Sequence, residues 1–171
     1  LATEAGKQGI MTYMMTPDKD YGQLVSENVF MYRPKYGDKE FEVMGIEQVK
    51  AKFDIQSPLQ VIDMLGLMGD SSDNIPGCPG VGEKTAQKLI AQFGSIENLL
   101  AHTDELKGAL KTKVETNKEL ITFSKFLATI KTDVPIKLQL EELERKPPDE
   151  TTLRKISDEM EFRFLSERIF Q

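Results

Sequence analysis

The sequence predicts an α/β part built on a parallel sheet, followed by a mostly α-helical region. Three observations carry this. Residues 10–15, IMTYMM, form a nearly continuous apolar run, as in a strand of a parallel sheet covered on both faces. NVFMYRP and EFEVMG read as two strands flanking a Gly-Asp turn. From Glu83 onward apolar residues recur with a period near 3.6, the mark of amphipathic helices.

Residues 1–8 hold good helix formers and Gly9 stops them. After the first strand, TPDKD is a loop and YGQLVSE a short helix with Leu24 and Val25 inward. The hairpin follows, with KYGDK as its turn. IEQVKAKF places Ile46, Val49 and Phe53 at helical spacing. SPLQVIDMLGLM begins with Ser57 as a cap and Pro58 at the first helical position. EKTAQKLIAQF, SIENLLAH and a stretch of roughly 111–130 are the next helices, with Gly94 a C-cap and Ser95 an N-cap. KTDVPIKLQL is extended, ERKPPDE a polar linker, and the last twenty residues one or two helices.

Composition excludes several classes. With 171 residues, 39% hydrophobic and 29% charged, the chain fits one domain or one with a small appendage. No apolar run approaches ~20 residues, so no membrane is expected. One cysteine, Cys78, and one histidine, His102, exclude an intramolecular disulfide and a zinc ligand set, and fit a reducing cytoplasm. Cys78 reads as a small buried or loop residue and His102 as a helix-end residue. The net charge of −6 argues against nucleic-acid binding by bulk positive charge, though not against a local basic face. The lysines between 107 and 118 are either a solvated helix face or an extension of such a surface.

Two acidic pairs stand out. Asp18 and Asp20 follow the first strand, at the edge where open α/β sheets bind ligands. In extended backbone they share one side while Lys19 faces away. Close carboxylates repel unless a cation neutralises them, and hard Mg2+ or Mn2+ prefers oxygen ligands. Asp70 and Asp73 could supply further oxygens. Capping is the competing role for the first pair and a capped turn, with Ser71, Ser72 and Asn74, for the second.

Next comes PGCPGVGEKTAQKLI. Gly80-Val81-Gly82 reads as a tight turn, where glycine permits positive φ and close backbone approach. Glu83 then opens a helix whose first N–H groups lack intrahelical partners and carry the positive end of its dipole. This suits a phosphate, reinforced by Lys84 and Lys88. Such contacts read backbone and not bases, so binding would be salt-sensitive and sequence-independent. A plain connection between helices is the competing reading. The Gly-x-x-x-x-Gly-Lys-Ser/Thr spacing of a mononucleotide loop is absent.

TPDKDYGQLVS together with LMGDSSDNIPGCPGVGEKTAQKLIAQFGSIENLL resembles the 5′–3′ exonuclease domain of bacterial DNA polymerases I, within the flap-endonuclease superfamily. The resemblance covers nearly the whole chain and implies a PIN-like core, residues 1–69, and a helix-hairpin-helix region with C-terminal helices, residues 70–171. It implies that Asp18, Asp20 and Asp73 hold the second of two metal ions, with Asp70 beside them. It further implies that Gly80, Val81, Gly82, Lys84 and Thr85 grip duplex DNA, beside the Lys88 read from the helix face. In some relatives the hairpin holds a monovalent cation, which leaves K+ open here. The implied substrate is duplex DNA with a 5′ flap or RNA primer, cleaved in replication and repair in the bacterial cytoplasm at the nucleoid. The implied partner is the remainder of the polymerase chain. The family's upstream acidic cluster and basic clamp are not among these residues. The chain therefore reads as the C-terminal part of the domain, with little or no nuclease activity alone. A stand-alone flap exonuclease and a non-catalytic helix-hairpin-helix DNA-binding module are the alternatives.

Overall fold

Three strands form the sheet in the order β1-β2-β3. Strand β1 (Thr12–Met15) runs parallel to β2 (Val29–Pro34), and β2 pairs antiparallel with β3 (Phe41–Met44). The computed structural model describes residues 1–35, 40–137 and 139–170, so the expected turn at KYGDK lies largely outside the described residues. Register aligns Met14, Met31 and Met44 across the sheet, and all three are buried. The period of two puts Tyr13, Phe30, Tyr32 and Phe41 on the other face, where Tyr13 stacks on Phe30 (5.5 Å) and Tyr32 on Phe41 (4.6 Å).

That arrangement corrects one expectation. The run 10–15 is not buried on both faces: within it Met14 is buried, while Ile10, Met11, Tyr13 and Met15 are exposed. Among the described residues strand β1 is the sheet edge, and only its Met14 face meets the core. The parallel pairing itself is as expected.

Two compact units make up the chain, Leu1–Pro135 and Ile136–Gln171. The first holds the sheet, α1 (Ala2–Lys7), α2 (Ile46–Phe53), α3 (Gln60–Met68), α4 (Glu83–Phe93), α5 (Ile96–Ala101), α6 (Gly108–Thr116) and α7 (Lys118–Ala128). The 69/70 division drawn from the sequence falls inside this unit, at the C-terminal glycine of α3. The second unit holds a 3₁₀ turn (Leu140–Leu143), α8 (Glu150–Glu159) and α9 (Arg163–Ile169). Asp149 caps α8, accepting from the Thr152 N–H (3.1 Å) and hydroxyl (2.6 Å), and the Arg154 guanidinium lies 4.0 Å from the Phe170 ring centroid. Among the described residues no helix is long and apolar enough to cross a membrane.

Helix α3 is central. Val61, Met64, Leu65 and Leu67 are all fully buried, so almost no side of it meets water. It starts at Gln60, not at the Ser57-Pro58 pair. Residues 57–59 form a turn, and the Gln60 side chain caps it by accepting from the N–H groups of Gln56 (2.8 Å) and Ser57 (3.2 Å). Helix α7 crosses α3 closely at Gly66, where a Cβ would lie 2.8 Å from Ile96 Cδ1 and 3.1 Å from Lys125 Cα. One turn earlier, buried Asp63 accepts from the Ile96 N–H at the start of α5 (2.9 Å) and from Lys125 Nζ of α7 (2.6 Å). Lys125 also reaches Glu97 (2.7 Å). One carboxylate thus joins three helices.

The stretch 111–130 is two helices and not one. Asn117, with φ −110° and ψ 21°, breaks it, and its side-chain amide donates to the Lys113 carbonyl (2.8 Å), satisfying the end of α6. The break lets α6 and α7 face the core separately, through Val114 and through Ile121, Ser124 and Ala128.

Removing one member of a buried ion pair leaves the other charge uncompensated, so Asp63→Ala should lower unfolding stability by about 3 kcal/mol. Urea denaturation measures this; a loss under ~1 kcal/mol would place Asp63 among ordinary surface charges.

Candidate functional site

The first acidic loop leaves the C-terminal end of β1. Asp18 donates its N–H to Thr16 Oγ1 (3.1 Å) and accepts from the Asp20 N–H (3.0 Å), capping the 3₁₀ helix Lys19–Leu24. The alternation of extended backbone therefore ends at Asp18. Asp20 turns into the protein and is 9% exposed, while Asp18 stays at the surface. Lys19, expected to face away, instead turns toward the carboxylates: its ammonium pairs with Asp70 Oδ2 and lies 3.9 Å from Asp20 Oδ1.

The second loop returns from α3. Asp70 and Ile75 exchange backbone hydrogen bonds, both 2.8 Å, closing a turn over 71–74. Asp70 Oδ1 accepts from the Ser72 N–H (2.9 Å). Close approach requires the flanking glycines: a Cβ at Gly77 would meet Gly69 N at 2.3 Å, and both residues have positive φ. Two anchors hold the loop from below, Cys78 N–H to Leu67 O (2.7 Å) and Gly77 N–H to Ser124 Oγ (3.0 Å).

The two loops converge. Carboxylate oxygens of Asp20, Asp70 and Asp73 all lie within 4.8 Å of one another. Asp18 is not in this group and serves as the cap, although its charge reaches Asp20. Burial first, then the charges of Asp18, Asp70 and Asp73, push the Asp20 carboxyl up to about 6 against the pull of Lys19. Burial also pushes Asp70 upward, but the Lys19 and Ser72 hydrogen bonds outweigh it and hold Asp70 below the ordinary carboxylate range.

Asp20 Oδ1 is buried with no hydrogen-bond partner. Buried polar atoms are nearly always satisfied, and this one belongs to a carboxylate that lies beside two others. A hard divalent cation, which binds through oxygens, fits that donor set.

The hairpin stands beside the second loop. Gly80 has φ +76°, and its carbonyl accepts from Lys113 Nζ (3.2 Å). Val81 is buried, so its side chain anchors the turn in the core and only its backbone can meet a ligand. Gly82 needs no positive φ (φ −95°, ψ 179°), contrary to the expectation for both glycines; a Cβ there would meet nothing within 4 Å, so the start of α4 is open. Its carbonyl accepts from Thr85 and Ala86 N–H (both 3.0 Å), leaving the earlier N–H groups of the first turn without intrahelical acceptors. Lys84 and Lys88 are exposed beside it and Thr85 is half-buried. Cys78 is buried, and burial raises its thiol pKa; His102 lies exposed at the end of α5, its ring on the Asn98 carbonyl.

Sequence reasoning missed Lys19 as a member of the cluster and Gln23 and Ser124 as its supports. Lys19 carried a signal, a cation flanked by two carboxylates. Gln23 and Ser124 carried none, because their partners lie 105 and 47 residues away.

Solved structures share this fold. T5 5′-exonuclease with bound divalent zinc ions superposes with a TM-score of 0.64 at 19% identity, over 72% of this chain and 45% of that one. The bacteriophage T5 flap endonuclease, in a pseudo-enzyme-product complex with DNA and metal ions, gives 0.63 at 19% identity, over 72% and 44%. The fold is accordingly that of the flap endonucleases.

Relatives in sequence narrow the class. The family described as 5′-3′ exonuclease, C-terminal SAM fold, matches residues 56–151, and the chain belongs to it. DNA polymerase I of Bacillus subtilis (strain 168) is 44% identical over 170 residues, covering 99% of this chain and 19% of that protein. DNA polymerase I of Bacillus caldotenax is 39% identical with the same coverage, and the thermostable DNA polymerase I of Thermus filiformis 38% over 163 residues. The chain thus spans 19% of the length of these relatives. The family match and these identities bear out the resemblance to the exonuclease domain of bacterial DNA polymerases I.

Because the folded Asp20 carboxyl is raised from 3.8 to about 6, its contribution to stability is present below pH ~3.8 and is lost as pH rises through ~6. Without divalent ions, Asp20→Asn should match wild type near pH 4 and exceed it at pH 8 by on the order of 1–2 kcal/mol. Denaturant midpoints in chelator at both pH values test this; a difference independent of pH would contradict it.

Proposed function

We propose that this chain is the C-terminal part of a 5′–3′ exonuclease domain within a bacterial DNA polymerase I, which cleaves phosphodiesters at 5′ ends and flaps. The observation that carries this reading is the convergence of Asp20, Asp70 and Asp73 from two loops, with a buried Asp20 oxygen that has no hydrogen-bond partner among the described residues. Family membership and the open start of α4 at the hairpin support it. Residues 1–69 belong to the nuclease core in this reading, and residues 70–171 to the duplex-binding region.

Asp20, Asp70 and Asp73 hold a Mg2+ or Mn2+ ion, with Asp18 fixing the Asp20 backbone and adding charge. When bound in pairs, such ions stabilise the charge on the attacking and leaving oxygens of phosphodiester hydrolysis. The protein's own part is placement. Asp20 is held by the 3₁₀ turn and Asp70 by its bridge to Ile75, so the donors need little rearrangement. The backbone of residues 80–82 and the first turn of α4 hold a duplex phosphate, with Lys84 and Lys88 adding charge and Thr85 a hydroxyl. Four residues separate Ile75, which closes the acidic loop, from Gly80, so the distance from duplex anchor to cleavage point is set by one short segment. A K+ at the hairpin competes with Lys113 for the Gly80 carbonyl.

The substrate in this reading is duplex DNA with a 5′ flap or RNA primer, processed during replication and repair in the bacterial cytoplasm. The described residues supply one acidic cluster of three. Two-ion chemistry needs a second, which the rest of the polymerase chain brings, so these 171 residues alone cleave poorly.

Gel shifts with duplex DNA at two salt concentrations test the interface. The Lys84→Ala/Lys88→Ala double variant should weaken binding several-fold for all sequences alike and lower the salt slope by about 1 to 2. An unchanged affinity and slope would remove the hairpin from the interface. A 5′-flap assay in Mg2+ or Mn2+ tests the catalytic half: cleavage by the 171-residue chain that is abolished by Asp20→Asn/Asp73→Ala would show that one cluster suffices and overturn the two-cluster reading.

A further inference from the structure

We propose that the Lys19 ammonium is a built-in, displaceable counter-ion of the Asp20–Asp70–Asp73 cluster, which holds the place of the divalent ion and sets how tightly that ion binds. The inference rests on the metal-site reading above and concerns a residue that reading does not use.

Three observations support it. The first is position. Lys19 Nζ pairs with Asp70 Oδ2 and lies 3.9 Å from Asp20 Oδ1, so it sits against two of the three carboxylates. Their oxygens lie within 4.8 Å of one another. A divalent ion ligated at ~2.0–2.1 Å by Mg2+-like distances would therefore fall within a few ångströms of the ammonium. Two cations that close repel strongly in a partly buried site.

The second is occupancy of the donors. Asp70 uses both carboxylate oxygens, Oδ1 for the Ser72 N–H and Oδ2 for Lys19. The Ser72 bond is local to its own turn and remains when an ion binds. Lys19 comes from the other loop and is the contact that can be exchanged.

The third is mobility of the partners in opposite senses. The Lys19 side chain is 34% exposed and the Asp70 side chain 5%. The ammonium can swing into water on its four-carbon stem, whereas Asp70 is fixed by its bridge to Ile75. Exchange thus moves one flexible side chain and leaves the carboxylates in place. The Asp20 oxygen, too far from Lys19 for a hydrogen bond and without any other partner, is the donor left waiting for the ion.

The test is affinity, not cleavage. Mn2+ titration followed by the electron paramagnetic resonance of the free ion gives Kd for wild type, Lys19→Met, Lys19→Arg and Asp20→Asn. Removing the competing charge should tighten Lys19→Met by about three- to tenfold, while Lys19→Arg, which keeps the charge, stays near or above the wild-type Kd. Lys19→Gln, which keeps a donor for Asp70, should shift in the same direction. An equal or weaker affinity in the neutral variants overturns the inference. A second readout uses wild type alone: the hydrogen-bonded Lys19 ammonium signal in 1H–15N NMR should be lost at saturating Mg2+, and its persistence also overturns the inference. If wild type and Asp20→Asn both lack saturable Mn2+ binding, the metal-site reading has failed and this inference falls with it. If wild type binds, Asp20→Asn does not and Lys19→Met is no tighter than wild type, this inference fails by itself.

Discussion

Helix α7 is the constraint on which the site depends. It crosses α3 at Gly66, closely enough that a Cβ there would make Ile96 and Lys125 give way, and the Asp63–Lys125 pair fixes the crossing. From this one helix both acidic loops are held. Ser124 accepts the Gly77 N–H of the second loop, and one turn on, the Ala128 carbonyl accepts from the Gln23 amide of the first. The Gln23 carbonyl oxygen accepts from the Ile130 N–H just beyond. Two loops separated by fifty residues are brought together because each is tied to the same short stretch of α7.

Electrostatics sets what those supports must resist. Asp20 and Asp70 are buried beside each other with Asp73 at the rim, an arrangement that ionised carboxylates oppose. Part of that opposition is relieved locally, since Asp70 has the Ser72 N–H and Lys19. The rest remains on Asp20, whose carboxyl is raised and whose buried oxygen has no hydrogen-bond partner among the described residues. Rigid packing around a charge-strained pocket is what a cation site requires before the cation arrives.

The helices, the strand pairing and the two acidic motifs were legible because each leaves a local pattern. Ser95 accepts from the Asn98 N–H as its place before IENLLA indicated, and Gly94 has φ +79° as a C-terminal glycine should. Errors arose where a local rule was carried past its range. The alternation argument sent Lys19 outward, but backbone alternation holds only in extended chain, and a 3₁₀ helix starts at that residue. The apolar run 10–15 predicts burial on both faces, yet composition does not say how many neighbours a strand has. Periodicity across 111–130 was real on both sides of Asn117, so it could not show that the helix changes direction there.

The amino-acid sequence by itself determined the element types, the positions of the acidic and glycine motifs, and the chemical character of the groups they carry, because these follow from spacing and side-chain type within a few residues. Only the tertiary structure decided which carboxylates meet, that Asp18 caps while Asp20 turns inward, and that Lys19 closes the cluster. Those outcomes depend on contacts between residues far apart in the chain, such as Gln23 with Ala128 and Lys19 with Asp70. No local pattern encodes such contacts, since each is set by how the packed helices bring two distant backbones within hydrogen-bonding reach.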